Sequence, residues 1–347
     1  MPGWLAHTSL KILILKPSSL GDVVQSLPVL RLLKQHWPDS EIHWWIETSL
    51  AGLLEADPDL AAIIPFDRKG WKSPLRWPEA MESVRLIRAH RFDLVIDLQG
   101  LFRSAVVAWL ARGELTIGVD DPREGARAFY DYAVRRPDQN GHAIEWYLEV
   151  LRQLNVPVHD RFTWLPSRPE VAKVVRQKWD LNGHRWIVVQ PGARWVTKRW
   201  PARYFSETIL RLERSLPEFH FAIMGGRADA EVAAEVARAS PKRCLDLTGQ
   251  TSLPEMSEWL RGSELVLTND TGPMHVAAAL GRPGVAIFGP TNPRRTGPYG
   301  QLANVLQSTV PCAPCLQEHC GQPNVLECLW TITPEAVCDR VERLLRA

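Results

Sequence analysis

Short apolar runs alternate along this chain with longer segments in which apolar residues recur every three or four positions. The run from Lys11 to Leu15 predicts a buried strand, and Val23 to Gln35 has the spacing of a helix. Further strands are predicted at 41–46, 63–66, 94–98, 186–190, 220–225, 244–246, 265–267 and 284–288, with helices at 50–56, 78–90, 102–111, 143–154, 202–216, 229–239, 253–261, 275–280 and 334–346. This alternation predicts an α/β protein with mostly parallel, doubly wound sheets.

The stretch from Glu264 to Pro293 has the strongest local pattern. An apolar strand breaks into a turn, and an Ala-rich helix follows in which Asp270 or Thr271 is suited to the N-cap and Pro273 to the first turn. The free N–H groups at such a helix start attract anions. We therefore expect a βαβ unit that holds a phosphorylated ligand.

The length of 347 residues fits two domains rather than one. The strand pattern predicts a Rossmann-like domain over 1–165, a proline-punctuated linker over 166–184, a second Rossmann-like domain over 185–333 and a last helix over 334–347 that packs back toward the first domain. Two such domains, with the carboxyl edges of their sheets facing a central cleft, are typical of enzymes that join two substrates.

Composition excludes several classes of protein. With 45% hydrophobic residues, 23% charged residues and a net charge of +2, the chain is expected to be globular, and no nucleic-acid partner is predicted. No apolar run has the roughly 18 residues that span a bilayer, and the start lacks the pattern of a signal peptide. We expect a cytoplasmic protein.

The cysteines are concentrated near the C-terminus. Cys312, Cys315, Cys320 and Cys328 are four of six, and in a cytoplasmic chain such crowding favours metal binding or reduced thiols over disulfides. Four thiolates suit a structural zinc or iron ion. The spacing is irregular for a zinc ribbon, so reduced thiols remain the alternative.

Four motifs, in order along the chain, resemble one known family. They are KILILKPSSLGDVVQSLPVL (11–30), DLVIDLQGLFRSA (93–105), PGARWVTKRWP (191–201) and NDTGPMHVAAALGRPGVAIFGPTNP (269–293). Together they resemble the heptosyltransferases of lipopolysaccharide inner-core synthesis, glycosyltransferase family nine. The resemblance implies a GT-B fold and inverting transfer from ADP-L-glycero-D-manno-heptose to a Kdo-lipid A acceptor, with no metal required for catalysis.

The acceptor has two candidates. Residues 120–134 and 142–151 resemble heptosyltransferase I, which adds the first heptose to Kdo, whereas the cysteine cluster resembles heptosyltransferase II. A transferase of the same fold with another sugar nucleotide or a protein acceptor is a second interpretation. A non-catalytic nucleotide-sugar binding protein is a third.

Candidate acceptor residues lie in the first half. Asp22 follows the first strand, where the resemblance implies a general base, although a helix cap is the alternative. Ser19 and Gly21 share its turn and are predicted to contact the acceptor. Arg103 and Arg123 are suited to acidic Kdo carboxylates or lipid A phosphates, or to structural ion pairs.

Candidate donor residues lie in the second half. Lys198 is predicted to neutralise the departing diphosphate, with Arg199 competing for that role and Arg194 as a further phosphate contact. The resemblance places the sugar at Asp270, the diphosphate at the backbone of Thr271 and Gly272, a phosphate contact at His275, and the adenine and ribose near Gly225, Asp229 and Glu231. Helix capping is the alternative for His275 and Asp229.

The segment RKGWKSPLRW (68–77) interleaves basic residues with tryptophans. Such a composition suits an anionic membrane surface, here the inner face of the cytoplasmic membrane, although a flexible basic loop is the alternative. We therefore expect peripheral attachment to the inner membrane.

Overall fold

The computed structural model describes residues 9–67, 77–179, 181 and 183–346, with Trp77, Glu79 and Ala80 described by their backbone alone. The basic segment 68–76 lies outside the described residues. Twelve strands are described: β1 Lys11–Leu15, β2 Glu41–Glu47, β3 Ala62–Phe66, β4 Leu94–Asp97, β5 Leu115–Val119, β6 Tyr132–Val134, β7 Arg185–Gln190, β8 Phe219–Ile223, β9 Cys244–Asp246, β10 Leu265–Asn269, β11 Gly284–Phe288 and β12 Val305–Gln307.

The helices alternate with these strands. They are α1 Leu20–His36, α2 Trp77–Ala89, α3 Phe102–Ala111, α4 Ala143–Gln153, α5 Pro169–Trp179, α6 Ala202–Ser215, α7 Ala230–Ala237, α8 Leu253–Gly262, α9 Gly272–Ala279, α10 Pro293–Thr296, α11 Glu327–Trp330 and α12 Pro334–Arg346. None of the described helices is long and apolar enough to cross a membrane.

The chain divides into two compact units, Met1–Pro166 and Ser167–Ala347. The first holds a six-stranded sheet of order β3-β2-β1-β4-β5-β6, and the second a six-stranded sheet of order β12-β11-β10-β7-β8-β9. All of the strand pairs are parallel. Counted from the start of each unit, both sheets have the 3-2-1-4-5-6 order of a Rossmann fold, in which ligands bind beyond the carboxyl ends of the two central strands.

Apolar runs form the central strands because helices cover both faces of a parallel sheet. Ile12, Leu13, Ile14 and Leu15 of β1 are completely buried. In the first unit, Trp45 of β2 stacks on Phe66 at a ring distance of 4.0 Å. A separate core cluster lies in the second unit, so each unit has its own core.

Three predictions of local structure were wrong. The segment 118–145, in which no strand is predicted from the sequence, contains the end of β5 and the whole of β6, a three-residue strand paired to β5. The predicted linker contains α5, in which Pro169 is the first helical residue rather than a helix breaker. The predicted helix at 50–56 is a 3-10 helix at Thr48–Leu53.

The C-terminal helix packs within the second unit. Val337, Cys338 and Val341 of α12 join that unit's hydrophobic core, and the Cys338 thiol lies 3.7 Å from the carbonyl oxygen of Thr208 in α6. The predicted domain boundaries otherwise remain predictions.

Candidate active site

The turn between β1 and α1 positions Asp22 in the first helical turn. Its Oδ2 accepts hydrogen bonds from the N–H of Ser19 at 2.9 Å and from the Ser19 hydroxyl at 2.7 Å. Ser19 is exposed and Gly21 is buried. The carboxylate thus satisfies an N–H group that the start of the helix leaves open, and it is fixed by neutral donors at the carboxyl edge of the sheet.

Lys16 follows β1 directly and is 3% exposed. Its Nζ donates to the carbonyl oxygen of Leu98 and to the hydroxyl of Tyr147, both at 2.8 Å. Burial opposes its charge, but interactions with Tyr147, Asp22 and Asp97 outweigh burial and raise the pKa of Lys16 above its ordinary value. A charged ammonium therefore lies at the switch point between β1 and β4.

Asp97 ends β4 beside this lysine and is fully buried. It accepts the hydroxyl of Tyr130 at 2.7 Å and the N–H groups of Gln99 and Gly100 at 2.8 and 3.2 Å. Burial raises the pKa of Asp97 despite these donors. Its contacts stabilise the turn after β4, so the structure gives Asp97 a structural role.

The two candidate acceptor arginines differ in their contacts. The Arg123 guanidinium donates three hydrogen bonds to the Asp121 carboxylate, with distances between 2.5 and 2.9 Å. These hydrogen bonds raise the pKa of Arg123. Asp22 is among the charges that act on Arg123, which places the two in one electrostatic neighbourhood. Arg103 is exposed in the first turn of α3.

The second unit brings Asp270 and Lys198 together. Asp270 follows β10, is 7% exposed, and its Oδ2 lies 2.7 Å from Lys198 Nζ and accepts the Thr291 hydroxyl at 2.6 Å. Lys198 Nζ also lies 4.6 Å from the centre of the Trp195 ring. An ammonium has three N–H donors, so it can bind a further anion without leaving Asp270.

Hydrogen bonds connect the loop that carries Lys198 to the end of β10. The Asn269 side chain donates to the carbonyl oxygen of Pro191 at 2.8 Å and accepts the Trp200 N–H at 3.1 Å. Trp200 is fully buried, and its indole N–H donates to Ile332 at 2.9 Å. Both ends of the loop therefore have fixed positions at the switch point between β7 and β10.

The Arg199 side chain has different partners from that of Lys198. Its Nε donates to the carbonyl oxygen of Ala193 at 2.7 Å, and its guanidinium lies 3.8 Å from Asp229. The Asp229 carboxylate also accepts the Gly226 N–H at 3.0 Å. Lys198, rather than Arg199, therefore contacts Asp270, whereas Arg199 connects the loop to Asp229.

Two glycines make room for Asp229. A Cβ atom at Gly192 would lie 2.2 Å from the Asp229 Cγ, and one at Gly225 would lie 3.0 Å from the Asp229 Cβ. The ends of β7 and β8 meet around this carboxylate. Any side chain at Gly192 would have to displace it.

The remaining candidates frame the start of α9 or lie on the surface. Thr271 is the N-cap of α9 in an extended conformation, Gly272 is its first residue and His275 lies in its first turn. Arg194 and Glu231 are exposed, and Glu231 lies in the first turn of α7. The structure thus groups Asp270, Thr271, Gly272 and Lys198 closely.

All four clustered cysteines line one cavity of about 310 Å³, together with Thr197 and Pro290. The Thr197 hydroxyl donates to the carbonyl oxygen of Gln317 at 2.9 Å, and the Leu316 N–H donates to Pro290 at 2.7 Å. The segment with the cysteines therefore supports the loop of Lys198.

The thiols of this cavity are not equivalent. Hydrogen bonds from backbone N–H groups lower the pKa of Cys320, whereas burial raises the pKa of Cys328 to about 11. Among the described residues, no group of three or more potential ligands could hold a metal ion. The predicted structural metal is thus not supported by the arrangement of the sulfurs.

Several residues of these sites were missed from the sequence. Lys16, Tyr147, Asn269 and Thr291 were not predicted, yet each contacts a predicted motif or lies within one. The sequence signal for Lys16 was its position directly after a buried strand, because lysine is seldom buried unless it is paired. Tyr147 was not recognisable because its partner is distant in sequence.

Comparison with known proteins identifies the family. The sequence model described as Glycosyltransferase family 9 (heptosyltransferase) matches residues 81–326. Lipopolysaccharide heptosyltransferase 1 of Pseudomonas aeruginosa is 32% identical over 97% of this chain and 99% of its own length. The chain belongs to glycosyltransferase family 9. The predicted heptosyltransferase resemblance and glycosyltransferase activity are thereby confirmed.

Solved structures agree with this family 9 assignment. Escherichia coli heptosyltransferase WaaC, solved with ADP, has a TM-score of 0.76 and 26% identity over 96% of this chain and 100% of its own. The E. coli ADP-heptose heptosyltransferase II has a TM-score of 0.78 at 24% identity, over 97% of this chain and 99% of its own, which supports the fold alone. The predicted α/β class and GT-B fold are confirmed.

Proposed function

We propose that this family 9 transferase moves L-glycero-D-manno-heptose from ADP-heptose to the Kdo of a Kdo-lipid A acceptor in lipopolysaccharide core synthesis. The observation that carries the donor half is the Lys198–Asp270 ion pair at the start of α9. WaaC, with the same fold, was also solved with ADP-2-deoxy-2-fluoro heptose. The acceptor half depends on Asp22 and Arg123.

In the donor half, Lys198 and the N–H groups at the start of α9 receive the diphosphate. The bond between the anomeric carbon and the diphosphate oxygen breaks with its electron pair on ADP, so positive charge at that oxygen lowers the barrier. Asp270 holds Lys198 in place and offers its carboxylate to the heptose hydroxyls. Arg199 and Asp229 hold the neighbouring end of the loop, on the nucleoside side.

In the acceptor half, Asp22 takes the proton of the attacking hydroxyl as that oxygen bonds to the anomeric carbon. Attack opposite the leaving ADP inverts the configuration. Arg123 and Arg103 bind the acidic groups of the acceptor, and Ser19 and Gly21 shape the turn against which it lies. A positioned general base of this kind contributes typically about 10²–10⁴-fold in rate.

The similarities favour Kdo over the first heptose as the acceptor. The heptosyltransferase 1 of Pseudomonas aeruginosa is 32% identical over 97% of the chain, whereas a heptosyltransferase 2 of Campylobacter jejuni is 24% identical over 96%. Because the acceptor is lipid-linked, we further propose peripheral attachment to the cytoplasmic face of the inner membrane through the basic segment 68–77.

Release of the nucleoside diphosphate by purified protein, ADP from ADP-sugars and UDP from a UDP-sugar, tests the proposal. Kdo-lipid A and the singly heptosylated core are supplied separately with ADP-heptose, and ADP-glucose and UDP-glucose replace the donor as controls. Turnover with ADP-heptose and Kdo-lipid A alone is expected. Turnover on the heptosylated core alone would reassign the acceptor, and release with another sugar nucleotide would reassign the donor.

Asp22→Asn tests the proposed base. The variant keeps the side-chain volume and a hydrogen-bonding oxygen but cannot take a proton, so kcat should fall by about 10²-fold or more with little change in the KM for ADP-heptose. Wild-type kcat in a folded Asp22→Asn protein would contradict the assignment.

Metal analysis of the same preparation tests the prediction of a structural zinc or iron ion, since a bound ion would be present at roughly one per protein molecule.

A further inference from the structure

Lys16 is a buried charge that the proposed reaction does not yet use. Its two hydrogen-bond acceptors, the carbonyl oxygen of Leu98 and the hydroxyl of Tyr147, are both neutral. Moving an ammonium out of water costs free energy unless an opposite charge compensates its own charge. Asp22 and Asp97 are the carboxylates that act on it.

The position of Lys16 relative to Asp22 is set by the backbone and by Tyr147. Lys16 directly follows β1 and begins the turn to α1, and Ser19 in that turn fixes the Asp22 carboxylate. Tyr147 of α4 lies 2.8 Å from the ammonium and is itself among the groups influenced by Asp22. Lys16 and Tyr147 are thus in direct contact, and Asp22, from the turn that follows the same strand, interacts electrostatically with both.

Lys16 and Arg123 both interact with Asp22, and they differ in exposure. Arg123 has a side chain that is 72% exposed and already paired with Asp121. Solvent and salt screen such a charge strongly. Lys16 is 3% exposed, so its field is screened far less.

We propose that Lys16 is a positioning residue for the general base: its fixed ammonium, oriented by Tyr147 and Leu98, keeps Asp22 ionised and ready to accept the proton of the acceptor hydroxyl. This inference rests on the proposed function. The electrostatic interaction with Asp97 lowers the cost of burying the lysine, and the hydrogen bond to Tyr147 restricts where the ammonium lies. Lys16 does not touch the substrate.

The pH dependence of kcat/KM for ADP release tests the proposal with wild type, Lys16→Met, Lys16→Arg and Tyr147→Phe. Removing the charge should move the acidic limb of the profile upward by about one pH unit. At pH values below the limb, kcat/KM of Lys16→Met should therefore be about tenfold lower than that of wild type. At pH values above the limb, the two values of kcat/KM should be closer. In Lys16→Arg the acidic limb should lie at the same pH as in wild type. Tyr147→Phe should lower kcat without moving the acidic limb.

Lys34→Met is the matched control, because Lys34 also donates to a backbone carbonyl, that of Ser40 at 2.8 Å, but lies near the far end of α1. Its profile should match wild type. An unmoved acidic limb in folded Lys16→Met would overturn the proposal. Inactivity of the wild type, or full activity of Asp22→Asn, would instead overturn the proposed function.

A measurement on wild type covers the case in which no Lys16 variant folds. If the buried lysine controls Asp22, the acidic limb should stay within a few tenths of a pH unit when NaCl is raised from 0.05 to 0.5 M, since burial protects this interaction from screening. A limb that moves upward with salt would assign the effect to exposed cations such as Arg123 and overturn the proposal.

Discussion

Asp22 and Asp270 are both aspartates at the carboxyl edge of a parallel sheet, but their partners give them different chemistry. Asp270 Oδ2 lies 2.7 Å from Lys198 Nζ, the cation proposed to meet the leaving diphosphate. The Asp22 carboxylate accepts hydrogen bonds from the N–H and hydroxyl of Ser19, which fix it at the start of α1. The partners therefore favour Asp22 as the base and Asp270 as an anchor.

Lys198 and Arg199 should differ when each is replaced by methionine. Lys198→Met should lower kcat by about 10²–10³-fold, because it removes the cation proposed to meet the leaving diphosphate. Arg199→Met should mainly raise the KM for ADP-heptose, since Arg199 contacts Ala193 and Asp229 instead. Steady-state ADP release measures both.

Lys178→Met is the control for these two substitutions, because Lys178 pairs with Glu255 on the surface of the second unit. It should leave kcat and KM unchanged. If Arg199→Met lost more kcat than Lys198→Met, the roles of the two cations would have to be exchanged.

His43 predicts a pH dependence of stability. It is 4% exposed beside His90, and burial followed by the charge of His90 lowers its pKa to about 4. The unfolded chain takes up a proton near pH 6.5, so stability from this site is complete above that pH and decreases as pH falls toward 4. The slope for one proton is about 1.4 kcal/mol per pH unit.

Urea unfolding at several pH values between 5 and 7 measures this slope. Replacing His43 by leucine should flatten the dependence by one proton, and the same replacement of the half-buried His159 is the control. Equal slopes in wild type and the leucine variant would show that His43 is protonated to the same extent in both states.

At the scale of elements, the loop between β7 and α6 depends on its contacts at both ends. Gly192 is packed so closely against Asp229 that a Cβ would lie 2.2 Å from its Cγ. Gly192→Ala should therefore displace Asp229 and raise the KM for ADP-heptose about tenfold or more. Gly262→Ala is the control, because a Cβ there meets nothing within 4 Å.

Donor kinetics and thermal unfolding distinguish the outcomes for Gly192→Ala. A raised KM with a melting temperature close to that of Gly262→Ala would locate the effect in the site. A normal KM would show that Asp229 is not needed for nucleotide binding, and its carboxylate would then serve only the turn with Gly226.

The elements that could be predicted are those with a strong local pattern. Completely buried strands such as β1 and the strand, turn and helix around Asp270 are readable because their apolar runs and turn residues are contiguous. β6 was missed because a three-residue edge strand is defined by its partner β5 rather than by its own residues. α5 was missed because Pro169 was interpreted as a break although it begins the helix.

The same limit applies to the candidate site. The motifs predicted Asp22, Lys198 and Asp270, but the ion pair between the latter two joins residues far apart in sequence. The separate role of Arg199 and the contact of Lys16 with Tyr147 likewise depend on the packing of distant segments. Pairing of side chains between elements is not encoded in local periodicity.

At the scale of the molecule, the proposed donor residues belong to one unit and the proposed acceptor residues to the other. Hydrogen exchange should reflect this division. ADP-heptose alone should slow amide exchange in 191–201 and 270–276 by about tenfold, and it should leave the turn at 18–22 within a factor of two. Protection of 18–22 by the donor alone, with 270–276 unchanged, would contradict the assignment of the donor to the second unit.

Both units have the same strand order, each with its own switch point, and the chain passes from one to the other at residues 166 and 167. With the proposed assignment of donor and acceptor residues, acceptor choice and donor choice are encoded in separate halves of the gene, which meet at one point. Recombination there could exchange the acceptor preference of one transferase for that of another while the sugar donor stays the same. Such a division allows new core oligosaccharides to evolve without a new nucleotide-sugar site.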